Sequence, residues 1–387
     1  MSARSPHVGA PRDEVHRSEA PKGSDQTVPM SANTPLRAGV VGLGWAGQQH
    51  MAGYHDLPDV ELVALAGMEE HLLSELGERY SVPGRYTSLE AMLAEANLDV
   101  LSIATPTALH APMAIAALGA GVHVLCEKPM APTAADAERM AEAAQAADRA
   151  LEITFNKRHR APARTLHRLV TDGVLGRVYY AKAGWVRRKG IPGLGTWFTR
   201  KDSAGGGPMM DIGIHALDLA LHVLGEPGVR TVSASTYAEF GPRGLGGGSY
   251  GVGARTAGDA TVYEVEDLGT ALLRLDNDAT LMLEASWAQF VDHDRFYLEL
   301  FGTEGGARIE VEGPDAPQIH VTTDVDGIPA NLVPDMLPDA GHEANVADFV
   351  ELVRSGSDAA RGQVGLLRTH VIDACYSSAE QGCEVTL

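Results

Sequence analysis

Three groups of residues in this chain have types and spacings suited to moving a hydride and a proton. Glu127-Lys128-Pro129 closes an apolar run, Val122-His123-Val124-Leu125-Cys126. The run reads as a buried strand, so Lys128 stands at the carboxyl edge of a parallel sheet, where open α/β folds bind ligands. Upstream, Gly42-Leu43-Gly44-Trp45-Ala46-Gly47 follows a short strand and opens a helix, the context a dinucleotide fingerprint requires. Gly42 permits a tight turn, Gly44 lets backbone approach a pyrophosphate, and Gly47 lets the helix pack on the strand; the helix N-terminus then faces the phosphates. Downstream, Asp211 and His215 are one helical turn apart and share a face. They offer a proton acceptor and a group to orient it.

Other residues surround these. Thr105-Pro106 ends a further strand, with Thr105 placed to touch a cofactor ribose. His110 follows at a helix start and reads more readily as a structural histidine than as a catalytic one. Asp218 and His222 continue the Asp211–His215 stripe and read as solvated or hydrogen-bonded helix residues. Four such groups also resemble a metal set, but no cysteine or further histidine cluster accompanies them, and no metal is expected. Trp185-Val186-Arg187-Arg188-Lys189 and Trp197-Phe198 concentrate aromatic and basic side chains in a chain with only 5% aromatics. Aromatic faces stack on sugar rings and arginines bind hydroxyls or anions. The candidates for substrate contact are therefore Lys128, Arg158, Trp185, Arg187, Trp197, Asp211 and His215, and those for the cofactor are 42–47, Thr105, Pro106, His110, Glu127, Lys128 and Pro129. The acidic residue that clamps an NAD ribose about 20 positions past the glycines is absent: the second strand ends at Ala66 and Gly67 follows. Glu69 is near enough to substitute, and Arg79 is far down the next helix. NAD and NADP both stay open, with NAD favoured.

These groups need a scaffold. Strands at Arg37–Val41, Val60–Ala66, Asp99–Ala104, Val122–Cys126 and Ala150–Phe155 alternate with helices through about Leu57 and over Glu69–Tyr80, Ser88–Ala96, Ala111–Ala120 and Thr133–Ala147. That alternation means βαβ units and a parallel sheet. After Asn156 the pattern changes. A helix at Arg160–Asp172 and a strand at Val178–Val186 lead to a helix from about Met209 to Leu224. Alternating segments follow at Thr231–Glu239, Leu268–Leu275, Thr280–Ala288 and Arg295–Phe301, with Asn277-Asp278 suited to a turn. They read as an antiparallel sheet, closed by helices near Glu343–Arg354 and Val364–Gln381. The expected division is a disordered tail at 1–33, a dinucleotide-binding domain at 34–155 and a substrate-binding and oligomerisation domain at 156–387. Gly241–Gly258 reads as a mobile glycine-rich loop.

The 387 residues are 44% hydrophobic and 21% charged, with a formal charge of -20. That balance excludes nucleic acid or an anionic membrane as the main partner and leaves a small-molecule substrate. Cys126, Cys375 and Cys383 have neither metal nor disulfide-framework spacing, so a cytoplasmic location is expected. No apolar run approaches the ~20 residues that span a bilayer.

At Gly-Leu-Gly-Trp-Ala-Gly, Ala-Thr-Pro-Thr-Ala-Leu-His, Cys-Glu-Lys-Pro and Gly-Gly-Gly-Pro-Met-Met-Asp-Ile-Gly-Ile-His-Ala-Leu-Asp, the chain resembles the Gfo/Idh/MocA oxidoreductases, over roughly Pro35–Leu387. The resemblance implies an α/β fold: an N-terminal Rossmann domain and a C-terminal α/β domain with a large open, mostly antiparallel sheet, through which members pair as homodimers or homotetramers. It implies NAD(P)-dependent oxidation of a secondary hydroxyl on a sugar, inositol or related polyol, or the reverse reduction. It maps the catalytic lysine to Lys128, the acid/base to His215 and its supporting acid to Asp211, and it makes the bond before Pro129 cis. Gly67 departs from the family's usual ribose-binding acid. Two other activities stay in view: a tightly held NAD used transiently for glycoside cleavage or sugar-to-sugar exchange, and a ligand sensor without catalysis.

Overall fold

The computed structural model describes residues 34–248, 262–356 and 362–387. The expected tail at 1–33 and most of the glycine-rich loop, 249–258, lie outside the described residues. The first half runs β1 (Leu36–Val41), α1 (Trp45–His55), β2 (Val60–Ala66), α2 (Glu70–Arg79), β3 (Gly84–Tyr86), α3 (Leu89–Glu95), β4 (Val100–Ile103), α4 (His110–Gly119), β5 (His123–Glu127), α5 (Ala134–Ala147) and β6 (Leu151–Thr154). The strands pair in parallel in the order β3-β2-β1-β4-β5-β6. The chain leaves β1 toward β2 and later returns to its other side as β4. This reversal opens a crevice at the carboxyl ends of β1 and β4. The helix starts follow their local chemistry: Ser88 and Thr133 accept hydrogen bonds from Ala91 N and Asp136 N as N-caps.

The second half continues with α6 (Ala161–Thr171), β7 (Val178–Val186), α7 (Lys201–Ala204), a π turn (Met209–Gly213) that runs into α8 (Ile214–Val223), β8 (Val229–Tyr237), β9 (Leu268–Leu275), β10 (Thr280–Ser286), β11 (Arg295–Gly302), β12 (Gly305–Glu312), β13 (Gln318–Val325), β14 (Ile328–Leu332), α9 (His342–Ser355), α10 (Gln363–Gln381) and β15 (Val385–Thr386). Nine strands form one open sheet, β14-β13-β12-β11-β7-β10-β9-β8-β15. Every pairing is antiparallel except β10 with β7. Alternation sets its faces: Ala271, Leu273 and Leu275 of β9 are buried while Leu272 and Arg274 point out. Helices α6, α8 and α10 cover the inner face.

Two expectations need correction. The strand pattern past Phe301 extends further than read, because β12 opens on two glycines and β14 is an exposed edge strand containing Pro329, which weakens the apolar signal. The segment from Met209 is also not one amphipathic α-helix. It opens with a π turn, and α8 is buried on almost every side, so of the two alternatives for Asp218 the hydrogen-bonded one holds: it is 1% exposed and accepts from Arg158 and Arg368. Among the described residues no helix is long and apolar enough to cross a membrane.

Helix α9, though late in sequence, completes the core of the first half. Val346, Phe349, Val350 and Val353 pack with Leu36, Met51, Tyr54 and Leu62. Phe349 is fully buried, so Phe349→Ala is expected to cost about 3–5 kcal/mol, read as a lower urea midpoint. A loss below about 1 kcal/mol contradicts this placement of α9.

Candidate active site

The site is assembled where the two sheets meet. β5 is buried from Val124 to Glu127 and delivers Lys128 to the crevice edge, and the Lys128–Pro129 peptide is cis. Lys128 Nζ donates to the backbone carbonyl and to Oδ1 of Asp211, each at 3.0 Å. Asp211 lies in the π turn, which Glu266 holds from behind. The Glu266 carboxylate accepts Gly207 N at 2.9 Å, Met209 N at 3.0 Å and the Tyr376 hydroxyl at 2.8 Å. The second Asp211 oxygen accepts the indole N–H of Trp287 at 3.0 Å. Trp287, at the end of β10, is fully buried.

Asp211 therefore has both oxygens engaged, by Lys128 and Trp287, and makes no hydrogen bond to His215. The expected Asp211–His215 couple is corrected accordingly. The π turn breaks the α-helical spacing that suggested it, and Asp211 positions Lys128. His215, 6% exposed, lies with its ring 5.7 Å from that of Trp185, and its Nδ1 is buried without a hydrogen-bond partner. Burial pushes Asp211 toward the neutral form, but the charges of Lys128 and Arg187 and the bonds from Lys128 and Trp287 outweigh it and hold the carboxyl below its usual range. Burial works the other way on His215. It disfavours the imidazolium, the charges of Lys128, Lys157 and Arg187 add to that, and the ring is held well below the usual histidine range. The site thus pairs a charged carboxylate–ammonium couple with a neutral imidazole.

The remaining candidates divide. Trp185 stacks on Phe296 with ring centroids 4.7 Å apart. Arg187 lies over the Trp185 ring at 4.9 Å and its charge reaches both Asp211 and His215. Arg158 does not join them. Its guanidinium pairs with Asp218 and, at 3.3 Å, with Glu226, and the fully buried Arg368 binds the same two acids. Trp197 stacks on Phe198 at 3.8 Å. His222 stacks on His167 at 4.4 Å. His110 does not face the crevice: its ring nitrogens lie 2.8 Å from Pro129 O and 2.9 Å from Thr105 O, clamping the two turns together. The Thr105 hydroxyl points to Met113 Sδ at 3.7 Å. The Glu127 carboxylate turns inward, 3.1 Å from His50 Nε2, and His50 in turn lies 2.9 Å from Ser102. Among the described residues no cluster of ligand side chains could hold a metal ion. Sequence reasoning missed Trp287, Glu266 and Lys157. The last had a weak signal, since Lys157 comes three residues after β6, the strand next to β5, and its Nζ lies 4.7 Å from the Trp185 ring centroid.

The glycine turn fits a dinucleotide. Gly42 has φ +97°, and a Cβ there would meet Ala104 O at 2.2 Å. A Cβ on Gly44 would meet nothing within 4 Å, so space is left above the turn. The first turn of α1 has neither a side-chain cap nor an acidic residue, which suits a pyrophosphate. At Gly67, Leu43 fills the place of a side chain, and Glu69 Oε2 lies 3.5 Å from where a Cβ would stand.

Comparison with known proteins agrees with this geometry. The profile for the oxidoreductase family with an NAD-binding Rossmann fold, Gfo/Idh/MocA, matches residues 36–155, and that for the Gfo/Idh/MocA C-terminal domain matches 163–308. D-glucoside 3-dehydrogenase of Escherichia coli is 32% identical over 359 residues, 92% of this chain and 98% of that one. The chain belongs to the Gfo/Idh/MocA oxidoreductase family. It is an NAD(P)-dependent oxidoreductase. Levoglucosan dehydrogenase of Pseudarthrobacter phenanthrenivorans is 26% identical over 75% of this chain and 77% of its own. Among solved structures, aldose–aldose oxidoreductase from Caulobacter crescentus in complex with glycerol superposes with a TM-score of 0.76 at 27% identity, covering 91% of this chain and all of that one. A levoglucosan dehydrogenase complex with NADH shares the fold, with a TM-score of 0.77 at 22% identity over 91% of this chain and 99% of that one.

The charge state of His215 is directly observable. Its NMR ring signals are expected to stay those of a neutral imidazole from pH 8 down to pH 6, while exposed histidines titrate near 6.5. Stability follows the same sign. Below about pH 6.5 the unfolded chain takes up a proton that the folded ring refuses, so this contribution is present above pH 6.5 and lost as pH falls. Titration of His215 at or above 6.5 contradicts this account.

Proposed function

We propose that this enzyme oxidises a secondary hydroxyl of a sugar or close sugar derivative, or reduces the matching ketone. The observation that carries it is the ammonium of Lys128, fixed at the sheet edge by Asp211, beside an imidazole kept neutral. The names of the relatives, a glucoside, a levoglucosan and an aldose enzyme, favour the sugar class. Nicotinamide, when bound, supplies the hydride acceptor. The backbone of 42–47 and the turn at Thr105-Pro106 hold the dinucleotide, and Glu69 offers a carboxylate to the adenosine ribose, which favours NAD over NADP. In oxidation, neutral His215 takes the hydroxyl proton. Lys128 donates to the same oxygen and stabilises its developing negative charge. Asp211 and Trp287 keep the Lys128 ammonium aimed. In reduction His215 returns the proton. Trp185 and Arg187 border the substrate.

A second reading draws on the likeness to the aldose–aldose oxidoreductase: the cofactor stays bound and passes the hydride from one sugar to another. We also propose that copies pair through the outer face of the nine-stranded sheet, where Met282 and Leu272 are 43% and 36% exposed and Tyr180 stacks on Phe301.

A panel of inositols, free sugars, glycosides and nucleotide sugars, assayed with NAD and NADP, is expected to yield reduced cofactor with a sugar, and faster with NAD. His215→Ala should lower that turnover by ~10² or more with NADH binding retained. Silence across the panel with cofactor released on denaturation shifts the reading to sugar-to-sugar exchange. Silence without cofactor contradicts both readings. Met282→Glu is expected to shift the light-scattering mass from a multiple of 40.9 kDa toward the monomer. A monomeric wild type contradicts the pairing.

A further inference from the structure

The exposed large hydrophobic side chains of the first half are not scattered over its surface. Among the described residues from 34 to 155 they are Met68, Trp45 and Leu109. Met68 follows β2, Trp45 opens α1 after β1, and Leu109 closes the short turn after β4. Those strands are neighbours in the order β2-β1-β4. All three side chains therefore stand at the carboxyl edge that carries the glycine turn. Single exposed apolar residues are ordinary on a protein surface, but a row confined to one sheet edge marks a place that something covers.

Trp45 is the centre of the row and is held in place. It is 63% exposed, and its indole meets the buried His342 ring edge-on, with centroids 4.9 Å apart and an interplanar angle of 89°. His342 opens α9, far along the chain, and is fixed from two sides. Asn156 Nδ2, just past β6, donates to its Nδ1 at 3.1 Å, and Glu127 Oε1, at the end of β5, lies 3.7 Å from its Nε2. One edge of the indole is thus braced, while most of it is left bare beside Gly44, above which there is open space. Adenine and nicotinamide present flat rings whose faces apolar side chains cover well. The polar hold is weak at the same edge, since Gly67 supplies no acid to the ribose and only Glu69 stands near.

Resting on the cofactor placement proposed above, we infer that Trp45, flanked by Met68 and Leu109, covers the bound dinucleotide and sets how long it stays. His342 is the positioning residue that keeps the indole in place. Release is slow because it returns these apolar surfaces to water.

Stopped-flow displacement of NADH from the full-length protein tests this in the wild type, Trp45→Ala, Trp45→Phe, His342→Gln and the double variant Trp45→Ala/His342→Gln. Release is expected to quicken tenfold or more in Trp45→Ala, with association little changed, and to return to within threefold of the wild type in Trp45→Phe. His342→Gln should quicken release only while Trp45 is present, the coupling expected of a residue that acts through the indole. Trp45 is exposed, so its variants keep the test open if His342→Gln fails to fold. Release within twofold of the wild type in Trp45→Ala, or an equal effect of His342→Gln with and without Trp45, overturns the inference and leaves the dinucleotide site standing. A wild type that binds neither NADH nor NADPH overturns both.

Discussion

The bond between Lys128 and Asp211 is the constraint on which the site depends. It joins the end of β5 in one sheet to the π turn packed on the other, through a side chain 18% exposed on one side and 20% on the other. Two bonds from one ammonium, to a backbone carbonyl and a carboxylate oxygen, fix direction as well as distance. The remaining carboxylate oxygen is taken by a fully buried indole. Removing one partner from such a pair leaves a charge unsatisfied, which costs far more than the pair is worth. The geometry therefore tolerates little drift between the halves.

This arrangement also sets the electrostatics. The carboxylate of Asp211 is committed to Lys128 and Trp287, so His215 gains no acidic hydrogen-bond partner and stays neutral among cations. A neutral ring is a ready proton acceptor; a protonated one beside Lys128 would repel the ammonium and lose that role. Behind the crevice, Glu127 is buried, and burial alone would raise its pKa. The hydrogen bond and charge of His50, with His342 and Lys128, hold it low. The carboxyl edge of β5 thus rests on a filled polar network, and Lys128 projects from it into the crevice.

Much of this was legible in the residues. Val60–Ala66, Val178–Val186 and Leu268–Leu275 coincide with observed strands because unbroken apolar or alternating runs leave few alternatives. Gly42–Gly47 and Lys128 are tied to strand ends, so their placement followed from strand order. The partners of Asp211 were not legible. Helical spacing predicts which side chains share a face, but a π turn changes the register, and Trp287 arrives from a strand 76 residues on. Arg158 resembled a ligand contact because nothing local shows that Asp218 and Glu226 claim it across α8. Glu69, two residues past the absent acid, carried a signal by position alone.

The central claim is that Asp211 acts through Lys128, with His215 as the independent proton acceptor. Single-turnover hydride transfer in Asp211→Asn, alongside NADH binding by fluorescence, tests it most directly. The account predicts transfer slowed by ~10² or more with NADH affinity within twofold of wild type, and an unchanged His215 titration. Transfer at the wild-type rate, or a His215 pKa that moves when Asp211 loses its charge while Lys128 keeps its position, contradicts it.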